Sequence, residues 1–244
     1  MIEGRSCRHA GDGTGPSVFV SAEALNFMEE DQATDRRIKQ AGKQVWHELK
    51  HHLPFTIAGA VAGMLLLVVF QGLSQEHSSR IFYVLHPAHV LLSGLVTASL
   101  YKRHREHHDK KAHAVALLLV GYVGAVGVAT LSDSIIPYLG EALLELPNRG
   151  IHLGFIEKWW LVNPLAMAGI GIAFVRPRTK APHAIHVLLG TSASTFHVIM
   201  AIGDDVSLVT YLVVIVFLAL AIWLPCCLSD IVFPVLVAET EGRQ

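Results

Sequence analysis

Two pairs of histidines recur at one spacing in this chain. The stretch HPAHVLL at residues 86–92 returns as HAIHVLL at residues 183–189, 97 positions later. His86 and His89 are three residues apart, as are His183 and His186, and residues at this spacing share one face of a helix. Two imidazoles on one face, joined by a carboxylate from another helix, are common ligands of Zn²⁺, Mn²⁺ or Fe²⁺. The spacing therefore predicts metal binding at each pair.

A second motif repeats at the same offset and supplies the carboxylates. The tripeptide LSD at residues 131–133 returns at residues 228–230, and a proline follows each aspartate by four residues. A carboxylate inside a membrane span is costly unless it is paired, so it is a functional candidate by default. In the alternative interpretation the histidines hydrogen-bond headgroups or carbonyls, and the aspartates cap helix ends. The predicted ligands are thus duplicated: His86, His89, Asp133, His183, His186 and Asp230.

Several neighbouring side chains are candidates for an accessory role in metal binding. Ser132 and Ser229 could add oxygen ligands, although a capping role is favoured for both. His197 follows His186 on the fifth apolar run and is either a proton or metal relay or a core histidine. The adjacent thiols Cys226 and Cys227 are interpreted as buried apolar groups, with metal ligation as the alternative.

A third histidine motif supports a different function. The sequence HREHH, which places His104, His107 and His108 in a basic connection, resembles a histidine box of membrane di-iron desaturases and hydroxylases. This resemblance implies a membrane-bound di-iron oxidoreductase that also uses the histidines of the repeated pairs. The box has no counterpart in the second half of the chain, and it is predicted on the opposite membrane side from His86 and His89. Transport is therefore preferred to enzymatic activity.

The composition indicates an integral membrane protein. Of the 244 residues, 52% are apolar and only 16% are charged, against about 25% charged residues in an ordinary soluble domain. About 20 apolar residues span a bilayer core, and a spanning segment must satisfy its own backbone, so each long run is predicted to be a helix. Six such runs occur: Leu53–Leu73, Phe82–Tyr101, Ala112–Gly140, Trp159–Val175, His183–Gly203 and Val206–Leu236.

The charges predict the orientation of these spans. Basic residues concentrate before the first span and in the second and fourth connections, whereas the other connections are acidic. By the positive-inside rule both termini are cytoplasmic, which agrees with an even number of spans in a multi-pass protein. The net charge of −1 does not favour a nucleic-acid partner. The expected partners are the lipid bilayer and the metal ion, with a homo-oligomer as a further hypothesis.

The repeat predicts two halves of inverted topology. Each half holds three spans, so the second half enters the membrane from the opposite side, as in many transporters. The third and sixth spans are overlong, and the proline after each aspartate predicts a broken helix there. The histidines and aspartates then form either one midplane cluster or two half-sites on opposite sides.

These patterns divide the chain into six regions. Residues 1–21 are predicted to be disordered, and residues 2–5 resemble a protease-site remnant. Residues 22–52 form a cytoplasmic amphipathic helix, 53–140 the first repeat, 141–158 an extracytoplasmic connection, 159–237 the second repeat and 238–244 a cytoplasmic tail. The predicted function is secondary transport, or channel conduction, of a divalent transition metal. In outline this resembles the small inverted-repeat metal-ion exporters, and no nucleotide-binding motif supports ATP-driven pumping.

Overall fold

The computed structural model describes most of the apolar part of the chain. The described residues are 54, 56–104, 110–177, 180–203 and 207–227, with the isolated positions Gln32, Lys39, Trp46 and Lys50. The chain divides into two compact units, Met1–Lys43 and Gln44–Gln244. Gln32 and Lys39, in the first unit, are helical and exposed. The predicted head and tail lie outside the described residues, as does nearly all of the predicted amphipathic helix, and the following account concerns the second unit.

The predicted all-α class is confirmed, since no strand occurs among the described residues. The first helix, α1, covers Thr56–Phe70 and is followed by the long α2 at Gln75–His104. A third helical segment runs from residue 110 to residue 143. A short helix then precedes three long helices, which complete the described part of the chain. The remaining helices are α3 (Lys110–Tyr122), α4 (Val128–Thr130), α5 (Ile136–Leu143), α6 (Gly154–Glu157), α7 (Trp159–Val175), α8 (Lys180–Ala201) and α9 (Leu208–Cys227).

Two helical segments, Gln75–Lys102 and Ala114–Leu143, are long and apolar enough to cross a membrane. Four shorter apolar helices are Thr56–Phe70, Trp159–Val175, Ile185–Ala201 and Leu208–Ala221, and each coincides with one of the other predicted runs. Large apolar side chains are exposed along these helices, whereas histidines, serines, threonines and two carboxylates are buried. A monomeric soluble protein rarely exposes so much continuous apolar surface.

Helix α2 is the centre of the packing, because it runs along both α7 and α8 and also contacts α3. Small residues allow the close approach of α2 to α7. A Cβ atom at Gly169 would lie 2.1 Å from the carbonyl oxygen of Leu91, and one at Gly94 would lie 3.1 Å from that of Ala166. Small residues at a helix interface are typical of membrane helix packing, where backbones approach closely.

We expect Gly169→Ala to destabilise the protein and Gly171→Ala to leave its stability unchanged or slightly raised. Alanine is favoured over glycine in a helix by about 1 kcal/mol, and a Cβ at Gly171 meets nothing within 4 Å. At Gly169 the added carbon meets backbone that cannot rotate away, and overpacking costs about 1–3 kcal/mol. Thermal unfolding of the two variants in the same detergent measures the difference, and equal midpoints would contradict the close contact of α2 and α7.

The third helical segment differs from the prediction of a break near Asp133. Its backbone stays helical throughout, but Val123–Gly127 and Leu131–Ile135 adopt π-helical geometry. The Ile136 N–H donates to the Leu131 carbonyl, five residues back, and Pro137 follows at the start of α5. The wider turn accommodates the proline without ending the helix, because π-bulges absorb such irregularities. The corresponding break predicted in the sixth span, at Asp230 and Pro234, lies outside the described residues.

Candidate functional site

Asp133 is the centre of a buried cluster of polar side chains. One of its carboxylate oxygens, Oδ2, lies 2.9 Å from His86 Nδ1 and 2.8 Å from His89 Nδ1. The other oxygen, Oδ1, accepts a hydrogen bond from Ser132 Oγ. Because an ionised carboxylate can only accept, both imidazoles donate through Nδ1–H, and each Nε2 then carries a lone pair.

The two imidazoles lie deep in α2. The sequence predicted a span that begins at Phe82, whereas α2 begins at Gln75, so His86 and His89 fall near the middle of this 30-residue helix. The π-helical turn at Leu131–Ile135 brings Asp133 to the same depth, and its side chain is fully buried. The predicted ligands of the first half are therefore in the protein interior rather than at the end of a helix.

A histidine from the second half joins this cluster. The ring of His186, on α8, lies 4.4 Å from the ring of His89, measured between centroids, and it is buried. Ser194, two turns further along α8, places its Oγ 3.0 Å from the Ser132 carbonyl oxygen. Pro137 has no N–H to donate to this carbonyl, which explains why a hydroxyl takes that position. The two halves of the repeat thus meet at one place.

Two glycines provide the space for the imidazoles. A Cβ atom at Gly154 would lie 2.4 Å from His86 Cδ2, and a Cβ atom at Gly190 would lie 2.7 Å from His89 Cε1. Any larger residue at either position would therefore collide with a buried ring. His86 Nε2 has no hydrogen-bond partner among the described residues. These glycines could not be identified from the sequence, because nothing in their local sequence indicates which ring they face.

A second buried pair lies beside the cluster. His197 Nδ1 and Glu141 Oε1 are 2.7 Å apart, and both side chains are 1% exposed. Phe82 separates the two sites: its ring stacks on His86 at 5.3 Å and meets His197 edge-on at 5.4 Å. The sequence indicated His197 as a candidate, whereas Glu141 was predicted to lie at the start of a connection. In the structure α5 continues to Leu143 and carries Glu141 into the core.

The other predicted ligands are only partly described. His183 and His104 lie at the start of α8 and the end of α2, and Cys226 and Cys227 at the end of α9, but their side chains are outside the described set. His107, His108, Ser229 and Asp230 also lie outside the described residues. Whether these residues take part in metal binding stays a prediction.

Within the described part of the chain, no group of three or more His, Cys, Asp or Glu side chains is arranged around a point that could hold a metal ion. The hydrogen bonds explain this, because the Nδ1 protons of His86 and His89 lie where a cation would be. The donor atoms themselves suit a transition metal: two imidazole nitrogens and one carboxylate oxygen meet within 3 Å. If the proton of each ring moved to Nε2 and the carboxylate shifted slightly, the two Nδ1 atoms and Asp133 could offer lone pairs to one ion.

A polar cavity of about 430 Å³ opens at one end of the helices. It is lined by the turn between α1 and α2, by Asn148 and by the end of α8. The Asn148 N–H donates to the carbonyl of Ala201, one helical turn after His197. The cavity therefore brings together the connections that the sequence analysis placed on the non-cytoplasmic side, and we call it the vestibule.

Comparisons with known proteins do not extend this description. No family model matches the chain, and no similar protein is found among curated proteins or solved structures.

Proposed function

We propose that this protein transports a divalent transition-metal cation across a membrane and that His86, His89, Asp133 and His186 bind the ion. The observation that carries the proposal is the convergence of two imidazole Nδ1 atoms on one buried oxygen of Asp133. This donor set suits Zn²⁺, Mn²⁺ or Fe²⁺, because these metals accept neutral nitrogen together with anionic oxygen. His186 lies close enough to His89 to supply a fourth ligand.

The distribution of polar and apolar side chains supports a multi-pass membrane location. The exposed surfaces of α1, α3, α7 and α9 carry large apolar residues, and the polar side chains face inward. In lipid this arrangement is stable, since apolar surface remains in contact with acyl chains and the polar groups are kept away from them. We place six spans in two inverted repeats, with both termini in the cytoplasm and the vestibule on the opposite side.

In the proposed mechanism the histidines change their protonation as the ion binds and leaves. When the cation binds, the Nδ1 proton of each neutral imidazole moves to Nε2, because a ligating nitrogen must offer its lone pair. Asp133 compensates part of the positive charge inside the low-dielectric interior. Rocking of one half against the other, along the contact of α2 with α8, then alternates access to the two sides. Protonation of the histidines weakens the site and releases the ion.

A membrane-bound di-iron oxidoreductase is the alternative function. It would add His104, His107 and His108 to the repeated histidines, and the contacts of these three side chains lie outside the described part of the structure. The buried cluster contains a single carboxylate between its histidines, which is sufficient for a single-ion site. The two functions differ in the number of tightly held irons and in the need for the loop histidines.

Flux into liposomes tests the proposal directly. The purified full chain is reconstituted into vesicles that contain a metal-sensitive dye, and Zn²⁺, Mn²⁺ and Fe²⁺ are added outside in turn. We expect uptake of at least one of these ions above protein-free vesicles, and background uptake by the His86→Ala, His89→Ala double variant. If none of the three ions crosses and the purified protein retains two irons, the oxidoreductase alternative replaces transport.

A further inference from the structure

We infer that this protein holds a second cation site, formed by His197, Glu141 and His152, between the vestibule and the Asp133 cluster. The identity of the ion, a divalent transition metal, rests on the proposed function. The site itself rests on separate residues and separate contacts. It would receive the ion before, or after, the central cluster.

The core of this second site is the ion pair within the helices. Glu141 Oε1 lies 2.7 Å from His197 Nδ1, so the imidazole donates through Nδ1 and carries its lone pair on Nε2. His197 Nε2 is buried and has no hydrogen-bond partner among the residues that the structure describes. Most buried polar atoms in proteins are paired, so an unpaired ring nitrogen beside a carboxylate points to a ligand. A carboxylate that orients the opposite nitrogen is the usual companion of a metal-binding histidine.

His152 is the third member, on the connection between α5 and α6. Its ring lies 5.3 Å from the ring of His197, at an interplanar angle of 68°. Two imidazoles bound to one tetrahedral ion, with metal–nitrogen bonds of about 2.1 Å, have ring centres about 5 Å apart. The distance between the ring centres therefore suits a shared ion, while His152 Nδ1 itself lies 3.6 Å from Glu157 Oε2. A rotation of the His152 side chain would direct its nitrogen towards His197.

Two hydrogen bonds hold the connection that carries His152 against the helical segment that contains Ser134 and Glu141. Ser134 Oγ donates to the His152 carbonyl oxygen at 2.6 Å, and the Gly150 N–H approaches the Glu141 carboxylate at 3.4 Å. The His152 side chain is 29% exposed, whereas His197 is almost fully buried. The backbone at 152 is thus held in place while its imidazole reaches solvent, which suits a ligand that takes an ion from the surface.

Phe82 makes the two sites distinct. Its ring lies between the rings of His86 and His197 and contacts both, so an apolar group separates the two pairs. An ion that passes from one site to the other must move past this ring. The geometry therefore predicts two ions per chain, bound independently, rather than one ion shared by all the histidines.

Zn²⁺ stoichiometry of the purified full chain in detergent tests the second site, with equilibrium dialysis followed by metal analysis. We expect two ions per wild-type chain, and one in each of Glu141→Gln, His197→Asn and His152→Ala. The His152 variant changes a partly exposed side chain on a connection, so it tests the site even if a core variant fails to fold. His77→Ala, an exposed histidine on α2, serves as the control and keeps two ions.

The Asp133→Asn variant distinguishes the inference from the proposed function. A loss of one ion in Asp133→Asn, with no loss in the His152, His197 or Glu141 variants, would overturn the second site and leave the central one. A loss of one ion in the His152, His197 and Glu141 variants, with no loss in Asp133→Asn, would support the second site and contradict metal binding at Asp133. Two ions in every variant would overturn both.

Discussion

Asp133→Asn is expected to reduce metal flux to the background of protein-free vesicles and to weaken Zn²⁺ binding at the central site by about 100-fold or more. The amide has nearly the shape of the carboxylate, but it has no charge to compensate a buried cation. The amide oxygen can take the place of Oδ2 and accept from both imidazoles, as the carboxylate does. Its NH₂ group then faces Ser132 Oγ, which has to accept a hydrogen bond instead of donating one.

The folded state should survive this substitution. One unsatisfied hydrogen bond in a buried site costs about 1–3 kcal/mol, which a helical core of this size can tolerate. Glu76→Gln is the matched control, because it makes the same chemical change at an exposed carboxylate on α2 that pairs with Arg80. We expect this control to transport at the wild-type rate. Wild-type flux in Asp133→Asn, measured in the same vesicles, would exclude Asp133 from the ion pathway.

Gly154→Ala is expected to weaken binding at the central site without altering any donor atom. The added Cβ would lie 2.4 Å from His86 Cδ2 and 2.5 Å from its Nε2. The ring cannot move freely, because it is fully buried and stacked on Phe82. The collision would turn His86 away from Asp133, and loss of such an orienting contact lowers metal affinity by about 10–100-fold.

Gly150→Ala provides the comparison for this variant. Gly150 lies in the same connection, and a Cβ there would meet His152 Nε2 at an ordinary contact distance of 3.5 Å. We expect its Zn²⁺ affinity at the central site to equal that of the wild type. Titration of Zn²⁺ into both variants measures the difference. Equal affinities would mean that the His86 ring has room to relax, which would contradict the tight enclosure described above.

Much of the architecture could be predicted from local patterns. The helical class followed from long apolar runs, because a backbone in lipid must bond to itself, and the described helices coincide with those runs. His86, His89 and Asp133 were singled out because it is costly to bury such groups without partners, and each of these two histidines is buried and paired with Asp133. These arguments need only residue types and their order along the chain.

The position of the irregular backbone near Asp133 was predicted from the sequence, but the type of irregularity was not. Pro137 indicated a disturbed helix, and a disturbance is present as π-helical turns rather than as a break. A proline removes one hydrogen bond locally, whereas the response of the chain depends on its neighbours. Here α8 supplies the Ser194 hydroxyl at the Ser132 carbonyl, so the helix continues. No property of residues 131–137 alone specifies that partner.

The residue types and their repeated order were sufficient to predict helices and the grouping of His86 and His89 with Asp133. The meeting of His186 with His89, the pairing of Glu141 with His197, and the spaces left by Gly154 and Gly190 depended on how the helices pack. Side chains distant in sequence come together only when helix rotation and separation are known to about one side-chain width. The periodicity of the sequence defines which face of a helix is buried. Close packing determines which face of a neighbouring helix that buried face contacts.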